Sequence, residues 1–458
     1  MAFSLQPNLY HYLTRPVSFL RRSHLRCRPA SFFLGSRHRY SKCIQSVVQD
    51  QRRHIHWQFV MQIPPEASIS GISPIYKDGK IQVYSDTSHK HVDVPAVWLR
   101  DHCQCSSCVH DSTKQRLIET FDAIPADISI AKDGVKEDND GFHVVWKDGH
   151  RSYFKKEWLE ASGMKAKSRS PERQGSTEIT LWSGSNIKDN PPTVEYDAVM
   201  DPSDQGVGEW LGLIRRYGFC YVNNCPVSPK ATEKMLERIA FIRNTHYGGF
   251  YDFTSDLAKG DTAYTQLGIG AHTDNTYFSD PAGLQLFHLL SHTDGSGGSS
   301  QLIDGFAAAH DLLQDYPEAY EILGTVRVHC HASGNLDSSI QPYQTFPVLV
   351  HDPQNGHLVQ VRWNTTDRAA IDMPIEEMGK WYDAARKWVE ILRRREYWEQ
   401  LKPGRPLIFD NWRVLHGRSA FTGKRRVCGG YINRDDFVSR FKMTNWGRGE
   451  VLTLVTQG

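Results

Sequence analysis

Long hydrophobic runs are missing from this 458-residue chain: no apolar stretch approaches the roughly 18–20 residues of a helical membrane span. Internal repeats are missing too, which excludes a solenoid or propeller. The nine cysteines form no spaced framework, since Cys103, Cys105 and Cys108 fall within six residues and Cys27, Cys43, Cys220, Cys225, Cys330 and Cys428 are scattered. A disulfide-stapled fold is thereby excluded, and a reducing compartment, where clustered thiols hold metal, is favoured. Acid is scarce in one place only. Residues 1–53 contain Asp50 against ten basic residues (Arg15, Arg21, Arg22, Arg26, Arg28, Arg37, Arg39, Lys42, Arg52, Arg53), out of 52 acids and 54 bases in all. The remainder is therefore net acidic and has no basic stripe, which argues against nucleic acid as a partner.

What is present begins with that basic start. Rich in Arg and Ser and interleaved with Phe19, Leu20, Phe32, Phe33 and Leu34, residues 1–55 read as a mitochondrial transit peptide, cleaved between Arg39 and Ile55. A disordered basic arm is the alternative.

Residues 56–162 read as a small β-rich module, with strands expected around 69–75, at Lys80–Tyr84, Val94–Arg100 and Phe142–Trp146. Three thiolates as close as Cys103, Cys105 and Cys108 can wrap one face of a tetrahedral Zn(II) and need a fourth ligand. His102 and His110 lie nearby, and His143 and His150 some forty residues on. A site tied to the later hairpin would staple a module with little core of its own, which favours His150 in Lys147-Asp148-Gly149-His150. Four protein ligands leave no open position, so the zinc reads as structural; free buried thiols are the alternative. Residues 163–177, rich in Ser, Pro, Gly and charge, read as a linker.

Residues 178–458 are mainly β with flanking helices, and the many short strands predict a jelly roll. Helices are expected over 206–217, 231–242 and 376–397, the last with Met378, Trp381, Ala385, Trp388 and Leu392 on one face as core or subunit contact.

His-x-Asp occurs three times, at His91, His272 and His292. The middle copy, His272-Thr273-Asp274, feeds a β run, 283–290, whereas His292 opens a Gly/Ser loop. With a later histidine it makes the two-His-one-carboxylate triad, which leaves three positions on Fe(II) for a co-substrate and O2. On a strand, His272 and Asp274 would point the same way. His416 follows the expected strand 405–410 and best completes the set; His329, His331, His351 and His357 are more ordinary strand histidines. A 2-oxoglutarate co-substrate needs a cation for its distal carboxylate. Alternation offers either Arg425 or the pair Lys424/Arg426.

Three motifs make the resemblance specific: Trp98-Leu99-Arg100-Asp101-His102-Cys103-Gln104-Cys105-Ser106-Ser107-Cys108, His272-Thr273-Asp274-Asn275-Thr276-Tyr277-Phe278, and Asp410-Asn411-Trp412-Arg413-Val414-Leu415-His416-Gly417-Arg418. Over about residues 65–440 the chain resembles the butyrobetaine/trimethyllysine dioxygenase family. The resemblance implies a small zinc-bearing domain joined to a double-stranded β-helix oxygenase. It implies zinc on Cys103, Cys105, Cys108 and His150, Fe(2+) on His272, Asp274 and His416, and 2-oxoglutarate on Arg425. L-ascorbate is expected as a further cofactor, and a homodimer as the assembly. For the substrate's trimethylammonium group the resemblance places Tyr247, Tyr251, Tyr264 and Tyr431 in an aromatic cage, since such a group binds through cation–π contact. Tyr251 departs from the butyrobetaine hydroxylase pattern, where Trp is expected. At the other end Asp261 stands where butyrobetaine hydroxylases carry an amide, and Asn364 could serve the carboxylate. An acid repels a bare carboxylate and attracts an α-ammonium. The expectation is therefore hydroxylation of trimethyllysine to 3-hydroxy-trimethyllysine, the first step of carnitine biosynthesis, in the mitochondrial matrix. Butyrobetaine hydroxylation, or non-catalytic binding of trimethylated lysine, are the alternatives.

Overall fold

The structure is a computed structural model describing residues 74–85, 88–164, 179–254, 265–334, 338–353 and 355–456. The expected transit peptide, nearly all of the linker, Asp261 and Tyr264 lie outside the described residues. Those described belong to one compact unit, Trp57–Gly458, in which separate cores form.

The first core is built by two antiparallel three-stranded sheets: β1 (Ile75–Lys77), β2 (Lys80–Ser85) and β3 (Lys90–Asp93), then β4 (Ile130–Glu137), β5 (Gly141–Trp146) and β6 (Arg151–Lys155). Between them runs α1 (Ala96–Asp101), and α2 (Lys156–Met164) follows β6. Ile81, Val83, Leu99, Phe142, Val144, Trp146, Phe154 and Trp158 pack together. The strand expected over Val94–Arg100 is thus α1. Pro95 sits at its N-cap with φ −60°, pre-set for helix entry, and Leu99 turns inward.

The second part is a two-layer β-sandwich. One layer orders β7 (Thr193–Glu195), β8 (Phe219–Asn223), β19 (Leu407–Asp410), β11 (Leu284–Thr293), β21 (Lys424–Ile432) and β9 (Tyr251–Thr254). The other orders β10 (Ile269–His272), β20 (Val414–Arg418), β12 (Ser300–Asp304) and β18 (Tyr397–Glu399). Period-2 alternation decides which side chains meet between the layers. Phe219, Tyr221, Leu407, Phe409 and Val427 pack against Leu302, Val414 and Tyr397 of the opposite layer. Their neighbours Cys220, Val222, Ile408 and Ile432 face outward onto α3 (Gln205–Tyr217), α4 (Pro229–Glu237) and α8 (Arg434–Asn445).

The four-stranded layer is backed by more helix than the sequence suggested. Ile303 and Leu415 pack on α5 (Gly305–Asp315), α6 (Pro317–Thr325) and α7 (Met378–Arg394). Asp304 caps α5 by accepting from Phe306 N and Ala307 N, and Pro317 opens α6, so the start signals were present in the sequence. Short strands β13 (Arg327–Cys330), β14 (Phe346–Pro347), β15 (Leu349–His351), β16 (Leu358–Val361) and β17 (Arg368–Ile371) complete this side.

Candidate active site

Val414 and His416 share the inner face of β20, while Leu415 faces the helices. That parity sends the His416 imidazole between the layers, beside Phe409 and Phe287 (ring centroids 4.6 and 6.0 Å). Across the β10–β20 pairing its register partner is His272, with ring centroids 4.2 Å apart.

Asp274 lies beyond the last residue of β10, not on the strand as the sequence suggested. Hydrogen bonds turn it back. Thr273 N donates to the Trp363 carbonyl (2.8 Å) and Thr273 Oγ1 accepts from Trp363 N (3.0 Å). The Asn411 amide clasps the next residue: its Oδ1 accepts from Asp274 N (2.7 Å) and its Nδ2 donates to the Asp274 carbonyl (3.0 Å). Asn275 then takes a left-handed conformation (φ 61°). The result puts Asp274 Oδ1 3.1 Å from His272 Nε2 and 3.6 Å from His416 Nε2.

This donor set fits a metal ion. One atom from each residue lies within 4.8 Å of the others. With metal–ligand bonds of about 2.1 Å, donors on one octahedral face sit about 3 Å apart. His272 Nδ1 lies 2.9 Å from the Gly270 carbonyl, so it carries the proton and leaves Nε2 its lone pair. His416 Nδ1 is buried and unpartnered among the described residues. Burial pushes the His416 imidazole down to about 3, so it is neutral at physiological pH. Burial opposes ionisation of Asp274 as well, but His416, His272 and Tyr431 together hold its carboxyl well below the usual range. Burial opposes protonation of His272, but the hydrogen bond and charge of Asp274 raise its pKa overall; with a metal ion in place of that proton, the site would present two neutral nitrogens and one anionic oxygen.

On β21, Arg425 faces inward with Val427 and is only 2 % exposed, whereas Arg426 points out and grips Asp252 with two nitrogens (2.9 and 2.6 Å). This settles the side of the strand that alternation left open. Arg425 sits 5.1 Å over the Phe421 ring, and no described residue makes an ion pair with it. Its Nε is buried without a partner. Burial pushes its pKa down to about 10, still far above neutrality. A buried guanidinium without a carboxylate is costly unless an anion arrives.

Of the four tyrosines, Tyr247, Tyr251 and Tyr431 are described. Tyr251 and Tyr431 stand edge to face at 6.0 Å. The Tyr251 hydroxyl donates to the Leu286 carbonyl (2.7 Å) over Gly429, where an added Cβ would lie 1.8 Å from that oxygen; only glycine fits. Tyr247 accepts from Tyr277 (3.4 Å), which in turn accepts from Asn275 Nδ2 (3.3 Å). Tyr431 donates to Asp274 Oδ2 (2.7 Å), a contact its expected place in a cage does not imply. Asn364 turns its amide into its own loop, accepting from Thr366 N (3.0 Å) and donating to Asp367 Oδ2 (2.8 Å).

In the N-terminal module, His150 Nε2 lies 3.3, 3.5 and 3.5 Å from the sulfurs of Cys103, Cys105 and Cys108. A tetrahedron with Zn–S of about 2.3 Å and Zn–N of about 2.0–2.1 Å has such an edge near 3.6 Å, so these donors fit that ion. Arg100 is buried beside them and donates to Cys108 Sγ (3.4 Å).

Residues 178–431, more than half of the chain, match the model described as "Taurine catabolism dioxygenase TauD, TfdA family". The chain belongs to the TauD/TfdA dioxygenase family. Residues 72–160 match "Gamma-butyrobetaine hydroxylase-like, N-terminal". The chain is 45% identical to trimethyllysine dioxygenase of Neurospora crassa, over 90% of this chain and 92% of that one. It is 38% identical to mitochondrial trimethyllysine dioxygenase of Homo sapiens, over 76% and 82%. To gamma-butyrobetaine dioxygenase of a Pseudomonas species it is 31% identical, over 81% and 93%.

Three residues of this TauD/TfdA member escaped the sequence reading. Asn411 was visible only as part of a histidine motif. Arg362, buried 4.0 Å over Phe346, donates to the carbonyls of Thr276 and Phe278 (2.7 Å each) and so fixes the turn after Asp274. Asp367, next to the Trp363–Thr273 pairing, acts through its charge on both His272 and Tyr277. Arg362 and Asp367 have no local signal for these roles, because the residues they act on at the site (Thr276 and Phe278, His272 and Tyr277) are remote in sequence.

Proposed function

We infer that this chain is an Fe(II)- and 2-oxoglutarate-dependent dioxygenase that hydroxylates trimethyllysine to 3-hydroxy-trimethyllysine, the first step of carnitine biosynthesis. The observation that carries the reading is the convergence of His272, Asp274 and His416 on one point within 4.8 Å. The buried Arg425 beside an aromatic inner face supports it. The higher identity to trimethyllysine dioxygenases than to a butyrobetaine dioxygenase favours trimethyllysine as substrate.

When bound, Fe(II) with 2-oxoglutarate and O2 supplies oxidative decarboxylation, giving succinate and CO2 and leaving one oxygen atom for the substrate. The protein's part is placement. His272, Asp274 and His416 hold the ion on one face. Arg425 takes the distal carboxylate of 2-oxoglutarate as a charge-assisted pair. Tyr247, Tyr251, Tyr264 and Tyr431 surround the trimethylammonium group, whose charge the ring faces attract without hydrogen bonds. At the far end Asp261 attracts the α-ammonium that butyrobetaine lacks, and Asn364 serves the substrate's carboxylate.

The zinc is structural in this proposal, closed by Cys103, Cys105, Cys108 and His150. L-ascorbate as cofactor, a homodimer, and delivery to the mitochondrial matrix by residues 1–55 belong to the same proposal. The word "mitochondrial" in the names of the vertebrate relatives supports the last. The test is Asp261→Asn: trimethyllysine turnover should fall and the ratio to butyrobetaine turnover should shift toward butyrobetaine. Unchanged selectivity would remove Asp261 from the reading.

A further inference from the structure

Asp274 divides its two oxygens between two tasks. Oδ1 faces both imidazoles, 3.1 Å from His272 Nε2 and 3.6 Å from His416 Nε2. Oδ2 accepts a 2.7 Å hydrogen bond from the phenol of Tyr431. The phenol oxygen accepts in turn from Gln285 Nε2 at 3.3 Å. With that lone pair occupied, the Tyr431 proton is directed at the carboxylate. Gln285 and Tyr431 are register partners on β11 and β21, 2 % and 6 % exposed.

A free carboxylate can chelate a metal through both oxygens, and a second Asp oxygen would occupy one of the three positions a facial triad leaves open. We propose that Tyr431 is a positioning residue that ties off Oδ2, restricting Asp274 to one-oxygen ligation and keeping the third position clear for O2. The proposal rests on the metal reading of the triad. It also joins two parts of the site, because the same ring stands edge to face with Tyr251 on the side where the trimethylammonium group is to bind. A cage role alone would need the ring of Tyr431 and no hydroxyl; the hydrogen bond to Asp274 needs the hydroxyl.

Tyr431→Phe separates the two. On the full chain, Mn(II) affinity without substrate should rise rather than fall, because the freed Oδ2 can add a second bond to the ion, whereas losing a partner that only orients the ligand would lower it. With Fe(II), kcat should drop and the ratio of succinate formed to betaine hydroxylated should rise, while KM for trimethyllysine stays within about twofold. Gln285→Leu leaves ring, hydroxyl and carboxylate in place and should produce a smaller gain of Mn(II) affinity in the same direction. Mn(II) affinity unchanged or lowered in both variants overturns the proposal, as does a rise in KM with kcat and coupling intact. If the parent chain itself binds no Mn(II), the triad reading fails along with it.

Discussion

His272 and His416 are direct cross-strand partners, on β10 and β20, although 144 positions separate them in the chain. A register shift of one residue on either strand would turn one imidazole to the helical side of the sheet. The packing of Leu415 against α5–α7 and of Val414 against the opposite layer therefore fixes the metal geometry as well as the core.

Removing one of these ligands should abolish activity without unfolding the chain. For His416→Ala we expect more than about a 100-fold loss of turnover, beyond what loss of a supporting partner costs. Anaerobic Fe(II) titration, read beside thermal melts, checks this; an Fe(II) affinity equal to the parent's would contradict it.

Arg425 should matter to the co-substrate alone. A charge-assisted hydrogen bond contributes about 1.5–3 kcal/mol, so Arg425→Met should weaken 2-oxoglutarate binding by about 10- to 100-fold. Arg425→Lys keeps the charge but loses the planar fork and should fall between. Calorimetry with 2-oxoglutarate on Mn(II)-loaded protein measures both.

Zinc and iron should be separable. The purified protein is expected to carry about one zinc per chain, as a closed four-ligand site would. Cys105→Ala should lower the melting temperature and leave Fe(II) affinity unchanged. A zinc-free preparation of normal stability would contradict the structural role.

Arg413 and Asp304 form an ion pair that is 1 % and 0 % exposed, with contacts of 3.0 and 2.7 Å. Asp304 also caps α5, and Arg413 donates to the carbonyls of Arg216 and Thr180. Truncation by Arg413→Ala leaves a buried carboxylate uncompensated and should cost about 3–5 kcal/mol. Denaturant unfolding gives that number directly.

Acid should destabilise the fold before its carboxylates titrate. Burial drives both His288 and His351 down to about 4. His288 is held neutral, accepting from Gly404 N (3.0 Å) and hydrogen-bonded to Thr232 Oγ1 (2.7 Å). For a histidine whose folded pKa lies below its unfolded value of about 6.5, unfolding takes up a proton. The stability is present above about pH 6.5 and is lost as pH falls toward 4. Melting temperatures from pH 7.5 to 4.5 should decline through that window, and His288→Gln should flatten the decline.

The sequence carried the strand alternation and the metal donors because both are local patterns. His272-Thr273-Asp274 sits within three residues, and Cys103-Gln104-Cys105-Ser106-Ser107-Cys108 within six. It carried less of what long-range packing decides. Asp274 leaves its strand because Trp363 holds Thr273, 90 positions away, and Asn411 holds the Asp274 backbone, 137 positions away, and no periodicity announces that. Arg425 and Lys424/Arg426 were equal by alternation until pairing with β11 and β9 turned Arg425 inward. The strand expected over Val94–Arg100 is instead the helix Ala96–Asp101, the outcome that Pro95 at its N-cap signals.

Mass spectrometry of the products from equimolar trimethyllysine and butyrobetaine, with Fe(II), 2-oxoglutarate and the full chain, tests the central claim most directly. The account predicts one added oxygen on trimethyllysine, with succinate formed alongside and butyrobetaine largely unchanged. Oxygen added mainly to butyrobetaine, or to neither, would contradict it.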